Sequence, residues 1–194
     1  MKRLTLAASA ALALAVSTPN VGAQATEYVI DTKGAHAFVQ FRVKHLGYSW
    51  LYGRFNTFDG AFNYDAANPE ASKINVTIDT ASVDSNHAER DKHLRNEDFL
   101  DVSKYPKATF VSTGVKVNGD GTAHVMGDFT LHGVTKPITI DVSKMGEGKD
   151  PWGGYRAGFE GSTTITMADY GMTFNLGPAS TQAEIMLTLE GIRK

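Results

Sequence analysis

The sequence predicts an all-β protein: a single antiparallel β-barrel of about eight strands with one short helix. From residue 28 onward, short apolar and polar positions alternate, and Gly, Asn, Asp and Pro interrupt the alternation at close intervals. In the stretch 51–64, Phe55 and Phe58 have opposite parity, so a bend near Thr57 is needed to keep both rings inside. A long bent strand favours a barrel over a flat sandwich.

About nine candidate strands account for this pattern. Asn118-Gly119-Asp120-Gly121 and the turn at His132-Gly133 separate neighbouring strands as hairpin loops do, so consecutive strands are expected to pair. Asn86, with Glu89 three residues later, predicts the start of the helix, over 86–96. The candidate strands are 28–31, 37–43, 51–64, 74–78, 108–117, 123–131, 138–142, 155–165 and 185–190.

The first 25 residues have the features of a secretory signal peptide. Lys2 and Arg3 precede an apolar stretch over 4–16, and small residues follow up to Ala25. This stretch is shorter than the ~20 residues needed to span a bilayer, so no stable membrane anchor is expected. Cleavage is predicted after Ala23 or Ala25. We therefore expect a periplasmic protein with one domain over 26–194.

Composition excludes several classes of function. The formal charge of −2 becomes −4 once Lys2 and Arg3 are removed, and basic residues cluster only around 92–95, so no nucleic-acid partner is expected. The absence of Cys excludes disulfides and thiol chemistry. Nothing in the sequence decides the oligomeric state.

No motif indicates catalysis, a metal or a cofactor. The chain lacks Gly-x-Ser-x-Gly, and His87 and His93 lie six residues apart, which does not place them on one helix face as zinc pairs require. The sequence therefore predicts no catalytic residue and no metal site. Trp50, Tyr52 and Trp152 lie near predicted loops, where such rings either line the mouth of a pocket or close the end of a core.

Several long strings resemble the YceI-like family of exported bacterial proteins: HAFVQFRVKHLGYSWLYGRF, SVDSNHAERDKHLRNEDFL, KYPKATF, GDFTLHGVTKPI, DPWGGYRAGFE and LGPAS. They run in order over essentially the whole chain after residue 25. The resemblance implies a lipocalin-like barrel that holds an isoprenoid chain, of the polyprenyl or isoprenoid-quinone type, in an internal tunnel. Carried onto this sequence by strand parity, the tunnel wall is expected to include Phe41, Val43, Phe55, Phe58, Val76, Ile78, Phe110, Val125, Phe129, Ile140 and Phe159.

The expected function is that of a periplasmic binding or carrier protein for an amphiphilic long-chain lipid, without a catalytic step. Burial contributes ~0.8 kcal/mol per CH₂, so a long lipid tail needs an apolar enclosure to cross water. Strands of about ten residues would give a tunnel on the order of 30 Å long. Two alternatives stay open: a lipid-modifying enzyme with His36, His45 or His93 as the base, and a stress-related interaction module whose own side chains fill the barrel.

Overall fold

The computed structural model describes residues 25–194, so the predicted signal peptide, apart from Ala25, lies outside the described residues. The described chain contains eleven strands and one α-helix, with short 3-10 turns between some of them. The elements are β1 (Thr26–Ile30), β2 (Phe38–His45), β3 (Ser49–Phe55), β4 (Phe58–Tyr64), β5 (Lys73–Asp79), β6 (Val83–Asp84), α1 (Ala88–Leu94), β7 (Lys107–Val117), β8 (Thr122–Leu131), β9 (Val134–Lys149), β10 (Tyr155–Thr166) and β11 (Gln182–Arg193).

The strands close into an eight-walled antiparallel barrel, which confirms the predicted fold class. A continuous ring of pairings runs β1-β4-β5-β7-β8-β9-β10-β11 and returns to β1. β2 continues the wall begun by β1, because both pair with β11. β3 and β4 form one wall in the same way, since β3 pairs with β2 and β4 pairs with β1. The short β6 is added at the edge of β3.

The bend predicted near Thr57 separates β3 from β4. Phe55 ends β3 and packs against the core, and Phe58 begins β4 as a buried residue. The backbone of Thr57 is held across the bend, because its amide donates to Ser82 Oγ at 3.0 Å and its carbonyl accepts from Asp79 N at 2.9 Å. These bonds replace the strand pairing that the bend removes.

A second break separates β1 from β2, as the separate candidate strands 28–31 and 37–43 predicted, but their continuation as one wall was not predicted. Asp31 lies in this break and is buried, and its carboxylate accepts from Gly34 N at 2.8 Å and from Arg156 at 2.7 Å. His36 Nδ1 lies 2.9 Å from the same carboxylate. Arg156 also bonds Asp150 and Glu190, so one guanidinium on β10 joins three carboxylates. The chain therefore leaves and rejoins the same wall around a fixed ionic cluster.

The predicted hairpin turns are confirmed, and two strands are much longer than expected, since β11 runs over Gln182–Arg193 rather than 185–190. His132 and Gly133 have φ angles of 50° and 74°, which is the left-handed pair that a two-residue hairpin loop needs. β9 runs from Val134 to Lys149 rather than over 138–142. Its second half contains two glycines and little apolar alternation, so pairing with β10 rather than its own pattern keeps it extended.

The helix is shorter than predicted and has a different cap. It spans Ala88–Leu94, and His87 Nδ1 accepts the amide of Arg90 at 3.2 Å. Asn86, the predicted cap, instead has a left-handed backbone with a φ of 61°. Asp91 turns inward, where it accepts from the amide and the hydroxyl of Ser85. The helix is thereby attached to the segment that follows β6.

Candidate functional site

The barrel encloses two neighbouring chambers with almost entirely apolar walls. The first has a volume of about 340 Å³ and the second of about 160 Å³. Together they fall in the range of 300–1,000 Å³ that is typical of small-molecule sites. Ile78 lines both chambers, and the cross-strand partners Phe129 and Phe110 line the first and the second respectively. These three side chains therefore mark the boundary between the chambers.

The two chambers follow one another along the barrel axis. On β11, Ala183 and Ile185 line the first chamber, and Leu187 and Leu189 line the second. Six residue steps at ~3.4 Å give a lined length of about 20 Å, which is shorter than the predicted 30 Å. The lined length is shorter because the ends of the long strands β9 and β10 extend beyond the chambers.

Ten of the eleven predicted wall residues line a chamber. Phe58 is the exception: it is buried, but it lines neither chamber. It shares the inward parity of Phe62 on β4 and packs in the core, but it lies outside the space of both chambers. The first chamber contains Phe41, Val43, Phe55, Ile78 and Phe129, and the second contains Val76, Ile78, Phe110, Val125, Ile140 and Phe159.

The three aromatic residues proposed for the tunnel mouth do not line either chamber. Trp50 and Tyr52 lie on the outer face of β3, because Leu51 between them is the residue that faces inward, and they line a shallow surface groove. Arg42 covers the Trp50 ring at 4.2 Å. Trp152 lies in the β9–β10 turn and is 78% exposed. That turn is at the second-chamber end of the barrel, far from Trp50.

Part of the wall was not predicted. The inward side of β11 alternates over 183–189, and a strand was predicted over 185–190, so the same parity argument would have found all of these wall residues except Ala183. Leu51, Leu131 and Ile165 also lie on predicted strands, whereas the remaining wall residues come from the helix and from irregular segments, where strand alternation gives no signal. The wall residues missed include Leu51, Leu94, Phe99, Leu100, Leu131, Ile165, Met167, Met172, Leu176, Ala183, Ile185, Leu187 and Leu189.

Glycine allows two phenylalanine rings to lie flat against the wall. Gly53 is the cross-strand partner of Phe41, and a β-carbon on Gly53 would overlap the Phe41 ring. A β-carbon on Gly127 would likewise overlap the ring of Phe110, which lies diagonally across the β7–β8 pair. A larger residue at either position would push the ring away from the wall. The glycines therefore leave space in the chambers that the rings would otherwise fill.

The first chamber reaches the end of the barrel between the β2–β3 turn, helix α1 and the irregular segment 171–181. The polar side chains that line this end are Lys44, His45, Arg90, His93 and Ser180. Arg90 donates to the hydroxyl and the carbonyl of Ser85, and His93 Nε2 lies 3.0 Å from Asp98 Oδ2. The charged and ionisable groups in the lining of this chamber are therefore all basic.

Segment 171–181 covers part of this end. The ring of Phe174 packs on His93 and Phe99 with centroid distances of 5.2 and 5.4 Å. Ser180 holds the β2–β3 turn, because its hydroxyl donates to Lys44 O at 2.5 Å and accepts from Leu46 N at 3.2 Å. The segment is thus fixed to both neighbours of the opening.

A separate cluster of possible metal ligands lies on the outside, at the break between β1 and β2. Asp31, His36 and Glu190 each place a ligand atom within 4.8 Å of the others. The Arg156 guanidinium already bonds both carboxylates, so a cation would have to displace it. Hydrogen bonds from His36, from Arg156 and from the Gly34 amide lower the pKa of Asp31 to about 2. The group is therefore an ion-pair network.

His87 and His93, considered as ligands from the sequence, have the separate partners Arg90 and Asp98.

Comparisons with known proteins agree with this architecture. A family model, the YceI-like domain, matches residues 28–191. A UPF0312 protein of Ectopseudomonas mendocina is 60% identical over 96% of this chain and 98% of its own length. A UPF0312 protein of Pseudomonas aeruginosa is 61% identical, with coverages of 95% and 97%. Among the described residues, no helix is both long and apolar enough to cross a bilayer.

Solved structures share the barrel. The Campylobacter jejuni YceI protein is 28% identical, with a TM-score of 0.71, over 78% of this chain and 90% of its own. BcnA of Burkholderia cenocepacia is 23% identical, with a TM-score of 0.74 and coverages of 83% and 98%. A domain of Saccharophagus degradans described as polyisoprenoid-binding is 19% identical, with a TM-score of 0.63 and coverages of 86% and 98%. This chain, an eight-walled barrel around two apolar chambers, belongs to the YceI-like family.

Proposed function

We propose that the protein is an exported periplasmic binding or carrier protein that encloses a long-chain isoprenoid, of the polyprenyl or isoprenoid-quinone type, in the barrel. The observation that carries the proposal is the pair of apolar chambers, which together provide roughly 500 Å³ inside the barrel. Apolar burial contributes ~25 cal/mol per Å², so a tail that fills this space is strongly favoured over the same tail in water.

The shape of the space favours a long, narrow and bulky chain. The lined length of about 20 Å suits an extended tail rather than a compact ligand. Aromatic and branched side chains line both chambers and make adaptable contacts without hydrogen bonds. The polyisoprenoid-binding description of the Saccharophagus domain supports the same class of ligand, although that similarity concerns the fold.

The test is mass spectrometry of an organic-solvent extract of protein purified from the periplasm without detergent. A stoichiometric polyprenyl or quinone-like species is expected. An empty extract, together with no uptake of an added isoprenoid, would contradict the proposal and favour an interaction module. Recovery of the protein in the periplasmic fraction, with a new amino terminus after Ala23 or Ala25, is expected in the same preparation.

A cavity variant links the ligand to the chambers. Phe129→Asp places a carboxylate without a partner at the chamber boundary, so bound lipid should disappear. Because a buried charge can also unfold the domain, Phe129→Ala serves as the milder variant and should reduce lipid content while the circular dichroism spectrum stays that of a barrel. Wild-type lipid content in a folded Phe129→Asp protein would refute the barrel interior as the site.

A lipid-modifying enzyme is the second candidate, because His45 and His93 line the first chamber and His93 is oriented by Asp98. A base held by a carboxylate is a common catalytic arrangement. His36 is not part of it, since it pairs with Asp31 outside the chambers. Chemical change of an added isoprenoid by the wild type, lost in His93→Gln, would favour this candidate over a binding protein.

A further inference from the structure

The end of the barrel at which the first chamber opens carries exposed apolar side chains from two separate segments. Leu46 and Tyr48, in the β2–β3 turn, are 54% and 87% exposed, and Phe174, in segment 171–181, is 45% exposed. Leu46 also lines the chamber, beside Leu176. Phe174 packs on His93 and Phe99, which line the chamber too. The apolar surface therefore continues from the chamber wall to the outside.

The ionisable side chains that line the first chamber are all basic. Lys44, His45, Arg90 and His93 are the ionisable side chains in the lining of the first chamber, in a chain whose formal charge is −2. Of the neighbouring carboxylates, Asp98 lies against His93 and Asp91 accepts from Ser85, whereas Glu89 and Glu97 are exposed and lie outside the chamber lining. The second chamber has no such bias, because its lining contains both Lys73 and Glu160. The two ends of the barrel thus differ in charge.

We propose that the first-chamber end is a docking surface for an anionic phospholipid bilayer, and that the isoprenoid passes between bilayer and barrel through this opening. The inference rests on the proposed function, since an isoprenoid resides in a membrane when it is outside the protein. Exposed aromatic rings and Leu partition into the interfacial region of a bilayer, and basic side chains are attracted to anionic head groups. Leu46, Tyr48 and Phe174 enter the interface, and the basic side chains face the head groups.

The groove on the outer face of β3 indicates where the wall gives access. It shares His45, Leu51 and Arg90 with the first chamber. The wall between groove and chamber is therefore only one layer of side chains thick at this point. One edge of β3 pairs with β2, and on the other edge Arg54 and Phe55 pair with β6. The rest of that second edge, over 49–53, has no strand partner in the described chain. The tail enters between this edge and helix α1, where Arg90 is held by Ser85 rather than by β3.

The first experiment measures binding of the purified protein to vesicles by flotation. Vesicles of equal parts phosphatidylglycerol and phosphatidylcholine should bind the protein, and vesicles of phosphatidylcholine alone should bind it less, with high salt removing the difference. Tyr48→Ser should lower the binding about tenfold, because the Tyr48 ring is exposed to water in the free protein and becomes buried in the bilayer interface on binding. The control is Trp152→Ser, which removes another strongly exposed ring at the opposite end and should bind like the wild type.

The second experiment measures transfer from the same vesicles carrying nitrobenzoxadiazole-labelled geranylgeraniol. Tyr48 lines neither chamber, so Tyr48→Ser should take up the wild-type amount of this probe at equilibrium but should take it up more slowly. Equal transfer rates in Tyr48→Ser and the wild type, or loss of binding in Trp152→Ser alone, would overturn the docking surface while the proposed function stands. Vesicle binding without any uptake of the probe would instead count against the proposed function. A dimer in sedimentation that Tyr48→Ser dissolves would identify a second copy of the chain, not a bilayer, as the occupant.

Discussion

Asp31→Asn tests how much the ionic cluster at the break between β1 and β2 contributes to the stability of the barrel. Asparagine has nearly the same shape as aspartate and keeps an oxygen that can accept from Gly34 N. The change therefore removes the negative charge that Arg156 and His36 contact, without opening a cavity. Arg156 keeps Asp150 and Glu190 as partners, so the variant isolates one of its three ion pairs.

The magnitude follows from the pKa of Asp31, which falls from 3.8 to about 2 on folding. At ~1.36 kcal/mol per unit of pKa, the charged form contributes about 2 kcal/mol to the free energy of unfolding. Because the folded-state pKa is below the unfolded one, this contribution is fully present above about pH 5 and is lost as the pH falls from about 4 to about 2. Asp31→Asn should therefore destabilise the protein by about 2 kcal/mol at pH 7 and by little at pH 2.

Urea denaturation of wild type and variant across this pH range measures the difference. Asp59→Asn, at an exposed position on β4, is the matched control and should change the free energy of unfolding by less than about 0.5 kcal/mol. A difference between wild type and Asp31→Asn that stays constant from pH 7 to pH 2 would refute the reasoning. It would mean that packing or hydrogen bonding, rather than the charge, makes Asp31 important.

Three further substitutions have defined outcomes. Gly53→Ala should displace the Phe41 ring into the first chamber, lower the free energy of unfolding by about 1–3 kcal/mol and reduce the lipid bound per protein, as measured in solvent extracts. Ile78→Ala removes a side chain shared by both chambers, so mass spectrometry should find longer bound tails, and unchanged tail lengths would argue against Ile78 as part of the boundary. Its cost should lie near the lower end of 2–5 kcal/mol, because one side of Ile78 already faces open space. Ser180→Ala leaves Leu46 N without its acceptor, and faster hydrogen exchange of that amide, with a loss of about 1 kcal/mol, is expected.

Alternation in the sequence was sufficient to predict the fold class and most of the wall. Strands with one polar and one apolar face, such as β2 and β8, gave the correct inward positions because side chains alternate strictly along a strand. The same rule predicted the bend at Thr57 from two rings of opposite parity. Phe58 also has the inward parity of β4, shared with Phe62, but it is packed in the core outside both chambers, which parity alone does not predict.

Features that depend on distant contacts were not predictable. The second half of β9 has no apolar alternation and is extended only because β10 lies beside it. The ionic cluster at the break between β1 and β2 depends on Arg156, which is 125 residues away from Asp31. The end of the first chamber is built from α1 and segment 171–181, whose wall residues follow no period. Trp50, Tyr52 and Trp152 were chosen as mouth residues for their chemistry, and their parity or their position at the other end places them outside the chambers.

One edge of β11 pairs with two different strands, β2 and β1, and this has a mechanical consequence. Its first half is joined to β2 over Ala183–Thr188, and its last residues are joined to β1 over Gly191–Arg193, with the Asp31 cluster fixed between the two seams. Local unfolding that begins in one seam reaches the Asp31 ion pairs before it reaches the other seam. The Asp31 ion pairs therefore separate the two seams, so an opening of the β2 seam does not by itself release the pairing between β11 and β1.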